Sequence, residues 1–272
     1  MTLGQHIAAR RKSLGLTQQR LADTLHVSFQ AVSKWENDQT MPDISMLAPL
    51  ARVLRTSVDG LLGFRLTPAT EYEKRYQGDA YYWGINPNRL CYDIMQLKPP
   101  TQPYRVLDIG CGESKDAVFL ARNGYQVTAF DIAANGVEKA QALAQLHAAT
   151  VDVFRADMLD FEPEGMYDIV FASGALHYLP PEKRAVVIDR LKAHTAPKGL
   201  HVMNVFVRKP FIAPPPDAET AESLHTPWVS GELYTLYHDW LLKRTDELIF
   251  PCQSGGLPHR HCMNVMIAEK PA

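Results

Sequence analysis

Apolar residues in the first sixty positions recur at helical spacing, in short runs separated by polar residues that favour helix ends. Leu3, Ile7 and Leu14 share one helical face, and Gly15 follows where a helix can end. The next three apolar runs each follow a residue that caps helix N-termini: Thr17, Ser28 and Asp43. With a last run over 57–62, the pattern predicts five short helices. The second and third, joined by only "HVS", form a helix-turn-helix.

From residue 104 the pattern changes to short apolar strands that alternate with amphipathic helices. Strands are predicted at 104–110, 126–131, 151–157, 167–173, 200–207, 247–252 and 261–269, and helices at 114–123, 135–147 and 181–194. This alternation predicts an α/β domain in which helices cover both faces of a largely parallel sheet. The last two strands have no full helix between them, which predicts one antiparallel strand in a seven-stranded sheet.

Periodicity is lost between these two regions, and Pro68 breaks any helix there. We therefore predict a helical domain over residues 1–63, a linker over 64–70 and an α/β domain over 71–272. Residues 1–63 carry seven basic and five acidic side chains, a net charge of +2, whereas the rest of the chain has a net charge of −4. The difference mildly favours an anionic partner for the first domain.

Composition narrows the class of protein. The chain has 272 residues, of which 46% are hydrophobic, enough for one large core and one small one. It has no run of 18 apolar residues and no apolar signal segment at its start, so no membrane partner is expected. The four cysteines are scattered, with no C-x-x-C pair. That argues against a disulfide framework or a zinc site and favours the cytoplasm.

The stretch "LTQQRLADTLHVSFQAVSKWENDQTMPDISMLAPLARVLRTSVDGLL" at 16–62 closely resembles the XRE family of phage-repressor and Cro-type helix-turn-helix domains. The resemblance implies that the third helix enters the major groove of double-stranded DNA and that the chain binds an operator as a homodimer. By position, the DNA-binding residues would be Gln18, Phe29, Gln30, Ser33 and Lys34, with Val32 and Trp35 in the core. A helical module for protein interaction is the alternative.

The stretch "RVLDIGCGESKD" at 105–116 joins a predicted strand to a predicted helix through a glycine turn, and three nucleotide-binding turns compete for it. A P-loop requires G-x-x-x-x-G-K-[ST], which is absent, and a dinucleotide turn requires a third glycine where Lys115 stands. The remaining D-x-G-x-G form, Asp108 to Gly112, resembles class I S-adenosylmethionine (SAM)-dependent methyltransferases. That family usually has a glycine at the position of Ser114.

Further acidic residues stand at the carboxyl ends of the predicted strands, where open α/β sheets bind ligands. Each acid alone is as well explained as a loop carboxylate or a helix cap. The resemblance implies that Asp131 binds the ribose hydroxyls, that Asp157 and Met158 contact the adenine, and that Ser173 lies beside the sulfonium. The cofactor-binding residues expected on this basis are Asp108, Gly110, Cys111, Gly112, Asp131, Ile132, Asp157, Met158 and Ser173. The product would be S-adenosylhomocysteine (SAH).

Residues 71–269 resemble, more narrowly, the small-molecule methyltransferases of the tellurite-resistance and thiopurine type. The motifs are "GCGESKDAVFLARNGYQVTAFD", "ADMLDF…YDIVFASGALHYL" and "WVSGELYTLYHDW" followed by "PHRHCMNVMIAEK". The implied acceptor is a small soft nucleophile, such as a thiolate or an oxyanion of tellurium or selenium. Methyl transfer from a sulfonium requires no metal, and none is expected.

Three histidines are candidate catalytic residues that contact the acceptor: His177, just after the fourth strand, and His259 and His261 at the last strand. In an extended segment the latter two share one face and Arg260 points to the other. Tyr82 and Trp83, next to Tyr81, precede the sheet where the family places aromatic residues over the donor, and aromatic faces attract a sulfonium. Surface histidines and ordinary core aromatics are the plainer interpretations.

One further motif in the sequence indicates a different class of methyltransferase. The segment "FPCQS" with Cys252 matches the nucleophile motif of cytosine-C5 DNA methyltransferases. That motif should follow the fourth strand, where "ASGALHYL" stands, so this enzyme class is not favoured.

Two classes of function are left open. The first class is a small-molecule methyltransferase that carries a DNA-binding domain and regulates itself. The second is a transcriptional regulator whose methyltransferase-like domain only senses SAM or a toxic ligand.

Overall fold

The structure is a computed structural model that describes residues 2–56, 58–62, 71–213, 227–253 and 257–272. The described residues form two compact units, one that contains residues 2–62 and one that contains most of the residues from 71 onward. The linker expected at 64–70 lies outside the described residues. Within the described ranges, every helix is too short or too polar to cross a lipid bilayer.

The first unit is entirely helical, as the apolar pattern predicts. Its helices are α1 (Leu3–Ser13), α2 (Gln18–Leu25), α3 (Phe29–Glu36), α4 (Ile44–Val53) and α5 (Val58–Leu61). The three expected N-caps are confirmed, because the side chains of Thr17, Ser28 and Asp43 accept hydrogen bonds from the backbone N–H groups of Arg20, Ala31 and Ser45. Side-chain caps fix where each helix begins, and so fix the short α2–α3 turn.

The helices of this unit meet around one apolar core. Ile7, Leu21, Val32 and Leu50 are fully buried, and Trp35 closes the inner face of α3. Ile44, the first residue of α4, does not join this core although it is apolar: it is 85% exposed. Burial of Val32 and Trp35 leaves the opposite face of α3 for the surface, as helical periodicity requires.

An ion pair that the apolar pattern does not reveal holds α3 to the rest of this unit. The Arg11 guanidinium donates two hydrogen bonds to the Glu36 carboxylate, at 2.5 and 2.8 Å, and a third to the Leu16 carbonyl at 2.6 Å. Gln18 donates its amide to the same carboxylate at 2.8 Å. Burial raises the pKa of Glu36, but the hydrogen bonds from Arg11 and Gln18 outweigh it, so the net shift is downward.

The second unit begins with two helices, α6 (Glu71–Arg75) and α7 (Arg89–Leu97), that the sequence pattern does not predict. The strands and helices that follow match the predicted alternation: β1 (Arg105–Ile109), α8 (Lys115–Arg122), β2 (Gln126–Asp131), α9 (Ala134–Leu146), β3 (Val151–Arg155), β4 (Tyr167–Ala172), α10 (Pro181–Ala193) and β5 (Thr195–Val207). A short helix α11 (Glu232–Thr235) and the strands β6 (Leu241–Cys252) and β7 (His259–Glu269) follow.

The seven strands form one sheet in the order β3-β2-β1-β4-β5-β7-β6. Strand β1 pairs in parallel with β2 and β4, and β4 pairs in parallel with β5. Strand β7 is antiparallel to both of its neighbours, β5 and β6, which confirms the single antiparallel strand. The glycine turn after β1 therefore lies between the carboxyl ends of β2 and β4, where ligands bind in this class of fold.

Three strands begin earlier than the sequence predicts: β5 at Thr195, β6 at Leu241 and β7 at His259. Most of β6 is exposed because it is the edge strand of the sheet, so its sequence lacks the continuous apolar run of a central strand. The central strands β1 and β4, each with four consecutive buried residues, were predicted within one residue at each end.

Glu36→Ala should lower the free energy of unfolding of the helical unit by about 2 kcal/mol, because it strips the largely buried Arg11 of its carboxylate partner. Amide hydrogen exchange in α1 and α3 of the full chain measures this. The pKa of Glu36 is lowered on folding, so its contribution is present above its unfolded pKa of about 4.3 and is lost as the pH falls through the folded value. Asp23→Ala, an exposed carboxylate on α2, is the control and should change little; equal protection in both variants would contradict the assignment.

Candidate functional site

The glycine turn after β1 requires glycine at two positions. Gly110 and Gly112 have φ angles of +65° and +53°, in the left-handed region that glycine adopts at no steric cost. A Cβ on Gly110 would lie 2.3 Å from the Cβ of Ala175, and one on Gly112 would lie 2.8 Å from the phenol oxygen of Tyr76. The bare backbone of the turn therefore faces neighbours at distances that no side chain allows.

The carboxylate of Asp131 holds this turn against the end of β2. One carboxylate oxygen accepts the N–H of Gly112 and the other accepts the N–H of Ala133, both at 2.8 Å. Burial raises the pKa of Asp131, and these two amides oppose the rise. A carboxylate offers about four lone-pair sites, so Asp131 keeps acceptor capacity for the hydroxyls of a ribose.

Asp108, the last acid of β1, is buried beneath the same turn. Burial raises the pKa of Asp108 well above its ordinary range, and the neighbouring carboxylates of Asp116 and Asp131 add to the rise, which Lys115 opposes. An ammonium group bound at the turn would reverse this balance, because a nearby cation favours the ionised carboxylate.

Ser114 stands where the family usually has a third glycine, in a backbone conformation that favours glycine. Its φ and ψ are +60° and +28°, a left-handed conformation that costs a residue with a side chain roughly 1–2 kcal/mol. Its buried hydroxyl lies beside the turn and interacts with the Cys111 thiol. A hydroxyl has acceptor capacity left for a ligand.

An aromatic cluster covers the turn, but the residue next to the turn is not one of those predicted. Tyr76 is buried over Gly112, and its phenol oxygen accepts a hydrogen bond from Trp83 at 3.3 Å. Tyr82 packs edge-on against Trp83, with ring centroids 4.7 Å apart. The predicted Tyr82 and Trp83 thus belong to the cover, with Tyr76 between Trp83 and the turn. The signal in the sequence was the density of aromatic residues over 72–83.

The remaining predicted cofactor residues follow their strands closely. Ile132 comes directly after β2, and Asp157 and Met158 follow β3, which ends two residues earlier than predicted at Arg155. Ser173 comes directly after β4, where its hydroxyl accepts hydrogen bonds from the side-chain amides of Asn88 and Asn204, both at 3.0 Å. The asparagines, which the sequence analysis missed, fix Ser173 between α7 and β5.

The three predicted histidines lie in one row with Phe206 of β5. The ring of His177 is 4.5 Å from that of Phe206, and Phe206 stacks on His261 at 4.8 Å. His259 and His261 meet at 2.8 Å between their Nε2 atoms, which confirms that they share a face of β7. Burial, with a smaller contribution from His261, lowers the pKa of His177 to about 3. His177 is therefore neutral at physiological pH.

The exposed face of α3 presents the residues expected to bind DNA. Phe29 is 42% exposed, Gln30 and Lys34 are exposed, and Ser33 is half-buried. Gln18 differs from this group because its amide is bonded to Glu36, as described above.

Comparison with known proteins finds a family model that matches part of each unit. Residues 106–199 match the model of a methyltransferase domain family, and residues 7–61 match that of a helix-turn-helix family. The fold is shared with the crystal structure of TehB from Haemophilus influenzae, with a TM-score of 0.59, 19% identity and coverage of 73% of this chain and 65% of that one. It is also shared with the N-methyltransferase NodS from Bradyrhizobium japonicum in complex with SAH, with a TM-score of 0.54, 17% identity and coverage of 74% and 97%.

Curated proteins match part of this chain. Hemagglutinin 1 of Eikenella corrodens is 28% identical over 189 residues, 65% of this chain and 58% of that protein. The probable SAM-dependent methyltransferase TehB of Haemophilus influenzae is 20% identical over 178 residues, 65% of this chain and 54% of that protein. The chain spans about half the length of the curated relatives it matches.

Asp108→Asn should make the α/β unit more stable at neutral pH while weakening SAM binding by roughly tenfold or more. The amide removes a buried charge but cannot offer a carboxylate to an ammonium, a contact of about 1.5–3 kcal/mol. Because the folded pKa of Asp108 is raised, its cost is absent below its unfolded pKa of about 3.9 and grows as the pH rises toward the folded value.

Urea unfolding against pH and calorimetric titration with SAM measure the two effects of this substitution. Asp189→Asn, an exposed acid on α10, is the matched control and should change neither. A stability gain without a loss of SAM affinity would show that Asp108 is buried for packing alone.

Proposed function

We propose that this chain, a helix-turn-helix domain of the XRE type joined to a class I SAM-dependent methyltransferase domain, methylates a small nucleophile and binds an operator. The observation that carries the proposal is the Asp131 carboxylate, hydrogen-bonded at 2.8 Å to the glycine turn at the carboxyl ends of the parallel strands. Asp131, the bare backbone of the glycine turn and the buried Asp108 thus lie together at the carboxyl ends of the parallel strands, where ligands bind in this class of fold.

The residues around the turn fit the chemical groups of SAM. Asp108 suits the ammonium, the bare backbone of the turn suits close approach of the amino-acid tail, and Asp131 suits the ribose hydroxyls. When bound, SAM supplies a methyl group on a positively charged sulfur. The residues proposed to bind it are Asp108, Gly110, Cys111, Gly112, Asp131, Ile132, Asp157, Met158, Ser173, Tyr82 and Trp83, with SAH as the product.

The row of His177, Phe206, His261 and His259 is the proposed acceptor site. It follows β4 and lines the ends of β5 and β7, and its polar atoms are imidazole nitrogens, which suit an oxyanion or a thiol. Positioning of donor and acceptor can supply about 7–11 kcal/mol of the barrier, so a soft nucleophile needs no strong base. Neutral His177 fits this positioning role.

Transfer of labelled methyl from SAM to tellurite, selenite or small thiols tests the enzymatic proposal. Asp131→Asn should weaken SAM binding by about 1–3 kcal/mol. The substitution replaces one carboxylate oxygen, which accepts a backbone N–H, by an NH2 group that can only donate, so the side chain has fewer acceptor sites for the ribose hydroxyls. His261→Ala should lower turnover but change the free energy of SAM binding by less than about 0.5 kcal/mol.

Asp160→Asn, an exposed acid on the loop after β3, is the control for Asp131→Asn. SAM binding without transfer to any acceptor would favour the alternative function, a regulator that only senses SAM or a toxic ligand. Unchanged SAM affinity in a folded Asp131→Asn variant would overturn the ribose assignment.

For the helical domain we propose operator binding as a homodimer in the cytoplasm, with the operator near its own gene. The support is the exposed face of α3, with Phe29, Gln30 and Lys34 projecting from a helix that Glu36 locks to α1. Two reading helices of such a dimer lie about 34 Å apart, which matches successive turns of B-DNA. Gln18 and Ser33 complete the proposed surface.

Gln30→Ala should change sequence preference, because glutamine reads the adenine edge, whereas Lys34→Ala should weaken binding to all sequences and reduce the salt slope by about 1. Selection from a random DNA library, followed by titration at several salt concentrations, measures both. Gln39→Ala, exposed but outside α3, is the control. Selection that yields no enriched inverted repeat would argue for the protein-interaction alternative.

A further inference from the structure

The β6–β7 hairpin brings together three side chains that bind transition metals. Cys252 ends β6 and pairs directly with His259, the first residue of β7, and His261 lies two residues further along the same face. The cysteine sulfur and one nitrogen from each histidine all lie within 4.8 Å of one another. All three residues are half-buried, so the group is accessible from solvent without lying on the open surface.

Hydrogen bonding sets His259 in the tautomer that binds metals. Its Nδ1 lies 2.8 Å from the carbonyl oxygen of Leu257, which can only accept, so Nδ1 carries the proton. In neutral His259 the Nε2 lone pair then points to Nε2 of His261, 2.8 Å away. Metal-binding histidines in proteins usually donate their other ring N–H to a carbonyl or a carboxylate in this way.

The three ligand atoms need to move only slightly to bind one metal ion. Two imidazole nitrogens bound to one zinc ion at about 2.0–2.1 Å in tetrahedral geometry lie roughly 3.3 Å apart, so the histidine nitrogens must separate by about half an ångström. The ring of His261 is held by stacking on Phe206, with an interplanar angle of 18°. Cys252 is paired directly with His259, so a different rotamer of its side chain would bring the sulfur closer to the histidine nitrogens.

We propose that Cys252, His259 and His261 form a site for a Zn²⁺-class metal ion, with a fourth position open to water or a small anion. One thiolate and two imidazoles suit Zn²⁺ or Co²⁺ and do not suit Ca²⁺ or Mg²⁺, which take oxygen ligands. The sequence has no C-x-x-C pair, which argued against a zinc site. The hairpin nevertheless brings Cys252 of one strand next to His259 and His261 of the other, although they are not close in a C-x-x-C spacing. The ion is an additional ligand and not part of methyl transfer. Because it occupies the nitrogens of His259 and His261, it competes with an acceptor bound there.

Titration of the chelator-treated full chain with Co²⁺ tests the site without any methyl donor or acceptor. We expect one equivalent to bind with tetrahedral visible bands and a near-ultraviolet thiolate charge-transfer band, and Zn²⁺ to displace it. Cys252→Ser should abolish the thiolate band, and His259→Ala and His261→Ala should each weaken binding by at least about tenfold.

Two controls separate loss of ligands from loss of structure. His238→Ala removes an exposed histidine outside the hairpin, and Cys262→Ala removes the buried cysteine of β7; both should bind Co²⁺ as the wild type does. SAM affinity of Cys252→Ser should equal that of the wild type and so report an intact fold. Co²⁺ binding without a thiolate band, or wild-type affinity in Cys252→Ser, would overturn the proposal. Neither result bears on methyl transfer, which is measured separately.

Discussion

The carboxylate of Asp131, accepting the N–H groups of Gly112 and Ala133, is the contact on which the candidate site depends. A buried anion is tolerated only where donors meet it, and here the donors come from the glycine turn and from the start of the next helix. The same contact therefore sets the path of the turn and the entry of α9. Gly110 and Gly112 can adopt that path because they have no side chain, and the aromatic cover packs on the surface that results.

Features determined by local sequence were predictable. The strand β2 was located to the residue because its apolar positions are flanked by polar ones and by Asp131, and the caps Thr17 and Ser28 act on amides three residues away. Helix α7 was missed although the sequence carries its signals: Asn88 caps it, and Leu90, Cys91 and Ile94 form a buried stripe at helical spacing.

Contacts between residues distant in sequence were not predictable from one chain. Arg11 and Glu36 are 25 residues apart, and Ser173 is bonded to Asn88, 85 residues away. Nothing in the spacing of these residues indicates the pairing, because it depends on which helices and strands become neighbours. The place of Tyr76 was missed for the same reason: five aromatic residues within twelve positions were visible, but only the fold selects the one above Gly112.

Tyr76 covers the bare backbone of the glycine turn, with its phenol oxygen 2.8 Å from where a side chain on Gly112 would begin. If SAM binds at this turn as proposed, any displacement of the Tyr76 ring, and of its hydrogen bond from Trp83, would count against the measured affinity. The turn and its aromatic cover would then share one binding energy.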